Sequence, residues 1–519
     1  MKIAFINNAN ESLGIEYLSA ALKQQGHQVR VFIDPQLFND ENIRFSVLEK
    51  IFDYRWELVK DVVDFAPDLI GFSVVSDFYK WACSVAAQIK FCYEKPIIFG
   101  GIHPTSLPEQ VLRNNFVDMV CVGEGEAALV EVVACLERGE WPEKIENIWT
   151  KKNGAIIKNK VRPLVSDLNL LPYPDKELFY KESRHYEKGY FTMAARGCLY
   201  ACSYCHHSYL KKMYNGASYY RCRSVENVIK ELERNFIRHK HKIIRFSDDI
   251  FPFEKQWLRE FAAKFPKRIN APYICYLHPH TTDQETVSLL KKSGCREVQL
   301  GVQTLYANTQ KEILNRHVAQ KRWEELILLL RKSKIRITAE NIIGIPHQSE
   351  EEIKDLVRFY CKNKVDRIHV FWLRYYPRTK ITEQFKPEQF DGQGLQTNTF
   401  TQGGDVYSKQ LSKLRVLFVL LNFLPPGVIY FILEKKIYKY TWPVSLFLLD
   451  LISNIFSGSY ADKITRQREF QRYLIYIKRS LGAYNERVWG FLSDACFKRT
   501  GDHCRDHQNI FKRLIRSFR

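Results

Sequence analysis

The run Arg196-Gly197-Cys198-Leu199-Tyr200-Ala201-Cys202-Ser203-Tyr204-Cys205 follows directly on an apolar, strand-like segment, Tyr190 to Ala195. Three cysteines spaced Cys-x3-Cys-x2-Cys on one short loop can bring three thiolates to one soft metal centre. A four-iron cluster ordinarily takes four cysteines, so three would leave one iron open to a further ligand. Zinc held by the same thiolates with His206 or His207 as fourth ligand is the competing assignment. Zinc ribbons use two separated cysteine pairs, and no second pair occurs in this chain.

Outward from the loop, the pattern is one of short apolar runs separated by helical segments. Downstream lie Ile243 to Ser247, Tyr273 to Leu277, Glu297 to Val302, Arg336 to Ile343 and Ile368 to Leu373. With Tyr190 to Ala195 these make six strands, and the rhythm predicts an incomplete α/β barrel. Upstream lie Lys2 to Asn7, Gln28 to Ile33, Leu69 to Val74, Pro96 to Gly101 and Met119 to Glu124. That series predicts a Rossmann-like parallel sheet with helices on both faces, whose ligand would sit at the carboxyl ends of the strands. Those ends carry Asn7-Asn8, Ser73, Gly100-Gly101 and Gly123-Glu124-Gly125-Glu126. The expected division is a first domain over 1–145, a linker over 146–185, a core over 186–395 and a mainly helical region over 396–519.

The cysteine spacing, with Tyr204 at the aromatic position before the last cysteine, resembles the radical S-adenosylmethionine (SAM) superfamily. The resemblance continues through Ser247-Asp248-Asp249-Ile250-Phe251, Leu300-Gly301-Val302-Gln303-Thr304 and Ile342-Ile343-Gly344-Ile345-Pro346. Gly344-Ile345-Pro346-His347-Gln348-Ser349 departs mildly from the usual Gly-Leu-Pro-Gly-x-Thr, and Tyr376-Pro377-Arg378-Thr379 from Pro-Gly-Thr. Read beside that core, the first domain is similar to the cobalamin-binding domain of the cobalamin-dependent radical enzymes. The residues are Leu13 to Leu18, Gly26-His27, Pro67 to Ser73, Gly100 to Thr105 and Gly123 to Glu126, and Asp167 to Pro174 matches the joining segment. The string Asp-x-His-x-x-Gly, whose His ligates cobalt in methionine-synthase-like domains, is absent; His103 follows Gly101-Ile102 instead.

The resemblance implies a set of cofactors and residues. Cys198, Cys202 and Cys205 would hold a 4Fe-4S cluster, and Tyr204, Asp248, Gly301 and Gln303 would contact S-adenosylmethionine. Ser73, Gly100, Gly101, Gly123 and Glu124 would face cobalamin. The cluster's electron, drawn from a donor such as flavodoxin or ferredoxin, would cleave S-adenosylmethionine to a deoxyadenosyl radical. The expected reaction is C-methylation of an unactivated carbon; oxidative cyclisation and RNA modification are the alternatives.

Composition bounds the rest. The chain has 519 residues, 45% of them hydrophobic and 26% charged, which excludes a collagenous or largely disordered protein. A formal charge of +20 suggests an anionic partner, nucleic acid or a membrane surface. Thirteen cysteines and a polar-flanked strand directly after Met1 suggest a reducing, cytoplasmic setting. Val416 to Leu433 is nearly all apolar but broken by Asn422 and Pro425-Pro426-Gly427, and Trp442 to Phe456 is a second apolar stretch. From Ser459 onward 14 Lys and Arg face six Asp and Glu. Apolar segments before a basic tail predict a hydrophobic small-molecule substrate and a peripheral membrane contact, with a buried helical cap as the rival. Arg221 and Arg223 could meet substrate or lie on the surface, and Cys496, His503, Cys504 and His507 fit no standard metal spacing. A helical end, in place of a small β-barrel, argues against RNA.

Overall fold

The computed structural model describes residues 1–39, 45–152, 154–215, 219–385, 409–440 and 459–496. Residues Met1–Arg472 gather into one compact unit and Tyr473–Arg519 into a second. The expected first domain, linker and core therefore share one body.

Five parallel strands open the chain: β1 (Lys2–Asn8), β2 (Gln28–Asp34), β3 (Leu69–Ser73), β4 (Ile97–Gly100) and β5 (Met119–Cys121), in spatial order β2-β1-β3-β4-β5. Ile3 to Ile6 are all buried, as expected of a strand with helices on both faces and no wet side to alternate with. The first crossover helix, Leu13–Gln24, starts on Ser12, whose Oγ accepts the Ile15 N–H, and ends before Gly26 at φ +83°. In this strand order the ligand crevice opens where β1 and β3 part.

Two antiparallel strands, β6 (Ile148–Lys152) and β7 (Ala155–Ile157), extend that sheet past β5. They fall inside the stretch expected as linker. Ile148 and Thr150 are fully buried while Trp149 and Lys151 are not, so a short period-two pattern is present, obscured by the apolar Trp149 on the outward side and by Lys152 at the strand end.

The second sheet is also parallel: β8 (Tyr190–Thr192), β11 (Ile244–Phe246), β12 (Tyr273–Leu277), β13 (Cys295–Gln303), β14 (Arg336–Ile343) and β15 (Arg367–Trp372), side by side in that order. Between β8 and β11 a small antiparallel ribbon joins β9 (Ala195–Arg196) to β10 (Arg221–Cys222). Helices cover one face with a core that includes Phe246, Val298, Trp323, Ile337 and Leu356. The other face turns inward, giving the expected partial six-stranded barrel. The free edge of β15 is covered by Asn422, which accepts the Ile368 N–H at 2.7 Å and donates to the Ile368 carbonyl at 3.2 Å.

The long apolar run divides at Pro425 into two helices, Lys409–Leu421 and Pro426–Glu434. Val416 to Leu420 are buried in the barrel's outer core. For those residues the cap reading holds, because they fill the groove beside the helix Glu350–Lys362. No helix among the described residues is long and apolar enough to cross a membrane. Trp442 to Phe456, His503, Cys504 and His507 lie outside the described residues.

Candidate active site

The cysteine loop is fixed before any metal enters. Gly197 sits at φ +84°, and a Cβ there would lie 2.2 Å from the Tyr219 carbonyl oxygen, so only glycine lets the chain turn here. Downstream, the Ser203 N–H donates to the Leu314 carbonyl at 3.0 Å and its Oγ to the Ile313 carbonyl at 2.5 Å. Asn315 Nδ2 donates to the Ala201 carbonyl at 2.9 Å, and the Ile381 N–H to the Ser203 carbonyl at 2.9 Å. Burial pushes the Cys198 thiol up to about 11 and the Cys205 thiol to about 12, a cost that ligation as thiolate to a cationic centre would relieve. Among the described residues no group of three or more His, Cys, Asp or Glu side chains is set to hold a single metal ion.

His207 already has partners: its Nε2 pairs with Asp249 at 2.9 Å and its Nδ1 lies 2.7 Å from Tyr219 Oη. His206 turns its ring toward Tyr376, 4.9 Å between centroids. Burial holds His206 down to about 4.

Around the loop stand the residues expected at S-adenosylmethionine. Asp248 is buried; its Oδ1 accepts the N–H groups of Ala194 (2.7 Å) and Ala195, while Oδ2 has no partner. Desolvation raises its carboxyl to about 7 against those two hydrogen bonds. Asp248 therefore both caps the strand feeding the loop and keeps one acceptor open. A bulge separates Gly301 from Gln303, which takes φ +65°, and a Cβ on Gly301 would meet the Gln303 amide at 2.6 Å. Tyr204 packs on the cluster formed by Leu314, Ile342, Ile345 and Leu373.

Sequence reasoning missed Arg316. Its buried guanidinium places Nη1 3.8 Å from Cys202 Sγ and donates through Nη2 to the Gly301 carbonyl at 2.5 Å, with Nε unpartnered. It links the loop to the Gly301 bulge. An arginine thirteen residues past a strand-end glutamine carried no signal until the fold brought it back.

At the amino-terminal sheet, a cavity of about 220 Å³ opens among Gly14, Leu18, Ser73, Gly100, Gly123 and Leu129. Drug-sized ligands occupy roughly 300–1,000 Å³, so this slot suits one part of a larger cofactor whose bulk lies outside it. Backbone builds it. Gly101, at φ +94°, packs so closely on β3 that a Cβ would lie 2.7 Å from Val74 N and 2.8 Å from Val74 O. At Gly123, φ +88°, a Cβ would meet Tyr214 Oη at 2.1 Å. His103 does not line the cavity: its ring stacks on Tyr79 at 4.0 Å and its Nδ1 lies 3.0 Å from Ser76 Oγ, while its buried Nε2 has no partner. Burial and the nearby His206 hold it down to about 4.

Met193 and Arg196, from the approach to the cysteine loop, complete the cavity wall. Arg196 pairs with Glu126 at 2.6 Å and Glu124 at 3.2 Å. Arg221 bonds Glu124 at 2.8 Å and the Val165 carbonyl at 2.6 Å, and Arg223 pairs with buried Glu231. Neither of these arginines is on the surface: each is spent on a carboxylate. Burial pushes Glu124 up, but Arg221 and Arg196 outweigh it and hold the carboxylate below its usual range. Glu124 thus fastens the two halves at the cavity mouth.

Comparison with known proteins agrees with this geometry. The Radical SAM superfamily matches residues 193–360 and the B12 binding domain residues 4–133. An uncharacterized methyltransferase of Pyrococcus horikoshii is 24% identical over 73% of this chain and 79% of its own length. The anaerobic magnesium-protoporphyrin IX monomethyl ester cyclase of Cereibacter sphaeroides is 23% identical over 73% of this chain and 62% of its own. Among solved structures, the radical methyltransferase TsrM of Kitasatospora setae, with cobalamin and a [4Fe-4S] cluster bound, superposes with a TM-score of 0.58. It shares 17% identity over 74% of this chain and 75% of its own, which speaks to fold. The three-thiol loop, Asp248 and Arg316 all fall within the radical SAM match, and the glycines that build the slot fall within the B12-binding match. The chain thus carries a B12-binding domain over residues 4–133 and a radical SAM domain over residues 193–360, and it is similar to cobalamin-dependent S-adenosylmethionine radical enzymes.

Proposed function

We propose that this enzyme methylates an unactivated carbon of a hydrophobic small molecule. The observation that carries the reading is the shared wall: Met193 and Arg196, at the start of the cysteine loop, also line the amino-terminal cavity. A methyl donor and a radical source could thus act on one substrate from adjacent positions. When bound, the cluster with S-adenosylmethionine supplies a deoxyadenosyl radical and cobalamin supplies the methyl group.

The chain's own residues hold and shield. Cys198, Cys202 and Cys205 would ligate the cluster. Arg316 would set positive charge against its thiolates and offer its unused Nε to a carboxylate. Asp248 Oδ2 is an acceptor placed for an ammonium group. The Glu124–Arg196–Glu126 contacts fix the distance between the two cofactor sites, which radical transfer needs. The reducing electron would come from a flavodoxin or ferredoxin.

Attachment to a membrane surface from the cytoplasmic side is supported by the outer face of the helix Pro426–Glu434. Phe431 is 55% exposed and Tyr440 beyond it 75%, beside Lys435, Lys436 and Lys439. Each lysine near an anionic leaflet would contribute about 1 kcal/mol, weakened by salt. Flotation with anionic vesicles at low salt, lost at high salt, is the expected outcome; protein that stays in the soluble fraction at both refutes it.

Methyl-labelled S-adenosylmethionine tests the reaction. Label carried into a product, with deoxyadenosine formed alongside, supports methyl transfer. An unlabelled, oxidised and ring-closed product would favour the cyclase alternative instead.

A further inference from the structure

The inward face of the barrel carries a band of polar side chains that neither cofactor site uses. Arg245 on β11, Tyr276 on β12, Gln299 on β13 and Glu340 on β14 alternate with Ile244, Phe246, Cys275, Val298, Leu300 and Ala339, which face the outer core. Two residues further along β13 stands Gly301, so the band lies one side-chain layer below the level assigned to S-adenosylmethionine.

Arg245 Nη2 donates to Tyr276 Oη and to Gln299 Oε1, both at 3.3 Å. Tyr276 Oη in turn donates to Glu340 at 3.3 Å. Both acceptors of Arg245 are neutral, and among the described residues its guanidinium forms no ion pair and its Nε and Nη1 no hydrogen bond. The Phe191 ring lies 5.7 Å away, adding a cation–π contact but no counter-charge.

Below this layer the barrel is closed. Glu297 accepts Thr338 Oγ1 at 2.8 Å, Ser459 Oγ at 2.7 Å and the Tyr460 N–H at 2.5 Å, and Arg367 pairs with Asp462 at 2.9 Å. Arg245 is half-buried, and its Nε and Nη1, which make no hydrogen bond, remain accessible to a further acceptor on the inner side of the barrel.

A guanidinium inside a barrel, held by two long bonds to neutral oxygens, lacks the counter-charge that enclosed cations ordinarily have. Its fork of N–H donors matches a planar or tetrahedral oxyanion. We propose that Arg245 binds an anionic group of the substrate, a carboxylate or a phosphoryl-type oxyanion, at the floor of the chamber. Tyr276 and Gln299 hold the guanidinium plane. Glu340 accepts the hydrogen bond of the Tyr276 hydroxyl, which turns the phenol lone pairs toward Arg245 and sets the Glu340 charge one hydroxyl away from the anion. The substrate would stand with its anionic end down and its reacting carbon toward the cofactors. This assignment rests on the radical-enzyme reading above.

Three probes of equal chain length test it by ligand-observed NMR on the reconstituted enzyme: n-octanoate, n-octylphosphonate and neutral n-octanamide. At least one anion should bind about tenfold more tightly than the amide, and the stronger of the two tells carboxylate from phosphoryl recognition. Arg245→Gln should erase that preference and Arg245→Lys keep part of it, each variant first checked for wild-type iron content and melting temperature. Equal binding of all three probes, binding of none, or a preference that survives Arg245→Gln overturns the proposal. Absence of deoxyadenosine from the wild type would mark a different failure, that of the radical reading on which the assignment stands.

Discussion

At the cysteine loop the chemistry rests on side chains, whereas at the cavity beside Ser73 and Gly101 it rests on backbone left bare. Cys198, Cys202, Cys205, Asp248 and Arg316 are donors, acceptors and charges gathered on one wall of the barrel. The amino-terminal site offers glycines at φ +94° and φ +88°, an apolar slot, and a histidine already stacked on Tyr79. The contrast teaches which substitutions report on what. At the loop, removing a side chain removes chemistry while the backbone stays pinned by Ser203 and Asn315. At the cavity, adding a side chain disturbs the fold itself before it excludes a ligand.

The largest effect should come from the loop. Replacing Cys198, Cys202 or Cys205 by Ala should lower deoxyadenosine formation by about 10³-fold or more, a loss of at least about 4 kcal/mol of transition-state stabilisation. Iron content should fall with it while the melting temperature of the cofactor-free protein hardly moves. Full iron retention in the triple variant would break the side-chain half of the comparison.

Asp248 gives the next effect, read in the cofactor-free protein. Its folded carboxyl is raised from 3.8 to about 7, chiefly by burial. Folding therefore favours the protonated form. The contribution is fully present below pH 3.8 and is lost as pH rises through 7, up to about 4 kcal/mol over the window. The stability difference between wild type and Asp248→Asn, followed by urea unfolding, should fall steadily from pH 4 to pH 8. A flat difference would mean that the carboxylate is compensated there by charges the two N–H groups do not supply.

At the cavity, two glycines should part company. Gly101→Ala places a Cβ against the Val74 backbone at positive φ and should destabilise the protein by about 2–3 kcal/mol. A bulky residue at Gly101 would act through that collision, so it is a poor reporter of cofactor binding. A Cβ at Gly14 meets only Ser12 Oγ and Ser73 Oγ, at 3.9 and 4.0 Å. Gly14→Leu should therefore keep wild-type stability and iron while reducing cobalamin retention on gel filtration. Unchanged retention would show that the slot is not the cofactor's.

Arg316→Gln sharpens the loop side. Loss of one charge-assisted contact, about 1.5–2 kcal/mol, should weaken S-adenosylmethionine binding by roughly 10- to 30-fold with iron content preserved. Equal affinity would leave Arg316 as a packing residue between Cys202 and Gly301.

The same contrast explains what could be read from sequence. Donor spacing survives without a structure, so the cysteine loop stood out, whereas Asp248 was marked only by resemblance; the runs Tyr273 to Leu277 and Arg336 to Ile343 matched their strands residue for residue. The glycine pairs at the strand ends pointed to a ligand site but not to how the backbone makes room there. That Gly101 faces Val74, or that Tyr214 fills the space over Gly123, depends on chain segments far apart in sequence. β6 and β7 were hidden because they are short, with only Ile148 and Thr150 buried and two lysines closing β6. Val416 to Leu433 left an interfacial contact and a buried cap both open, because an apolar run does not say which surface buries it. Arg316, Arg221 and Arg223 were ordinary basic residues until the fold paired them with Cys202, Glu124 and Glu231.

The most direct test of two cofactors meeting at one wall is a paired measurement on protein reconstituted anaerobically with iron, sulfide and hydroxocobalamin, then gel-filtered. Optical spectra should show a 4Fe-4S cluster and about one cobalamin per chain, and after reduction with dithionite electron paramagnetic resonance should show the one-electron-reduced cluster. Adding S-adenosylmethionine should shift the cluster signal, as an iron with an open position requires. A cluster signal indifferent to S-adenosylmethionine, or a cluster-loaded chain that keeps no cobalamin, would contradict the account.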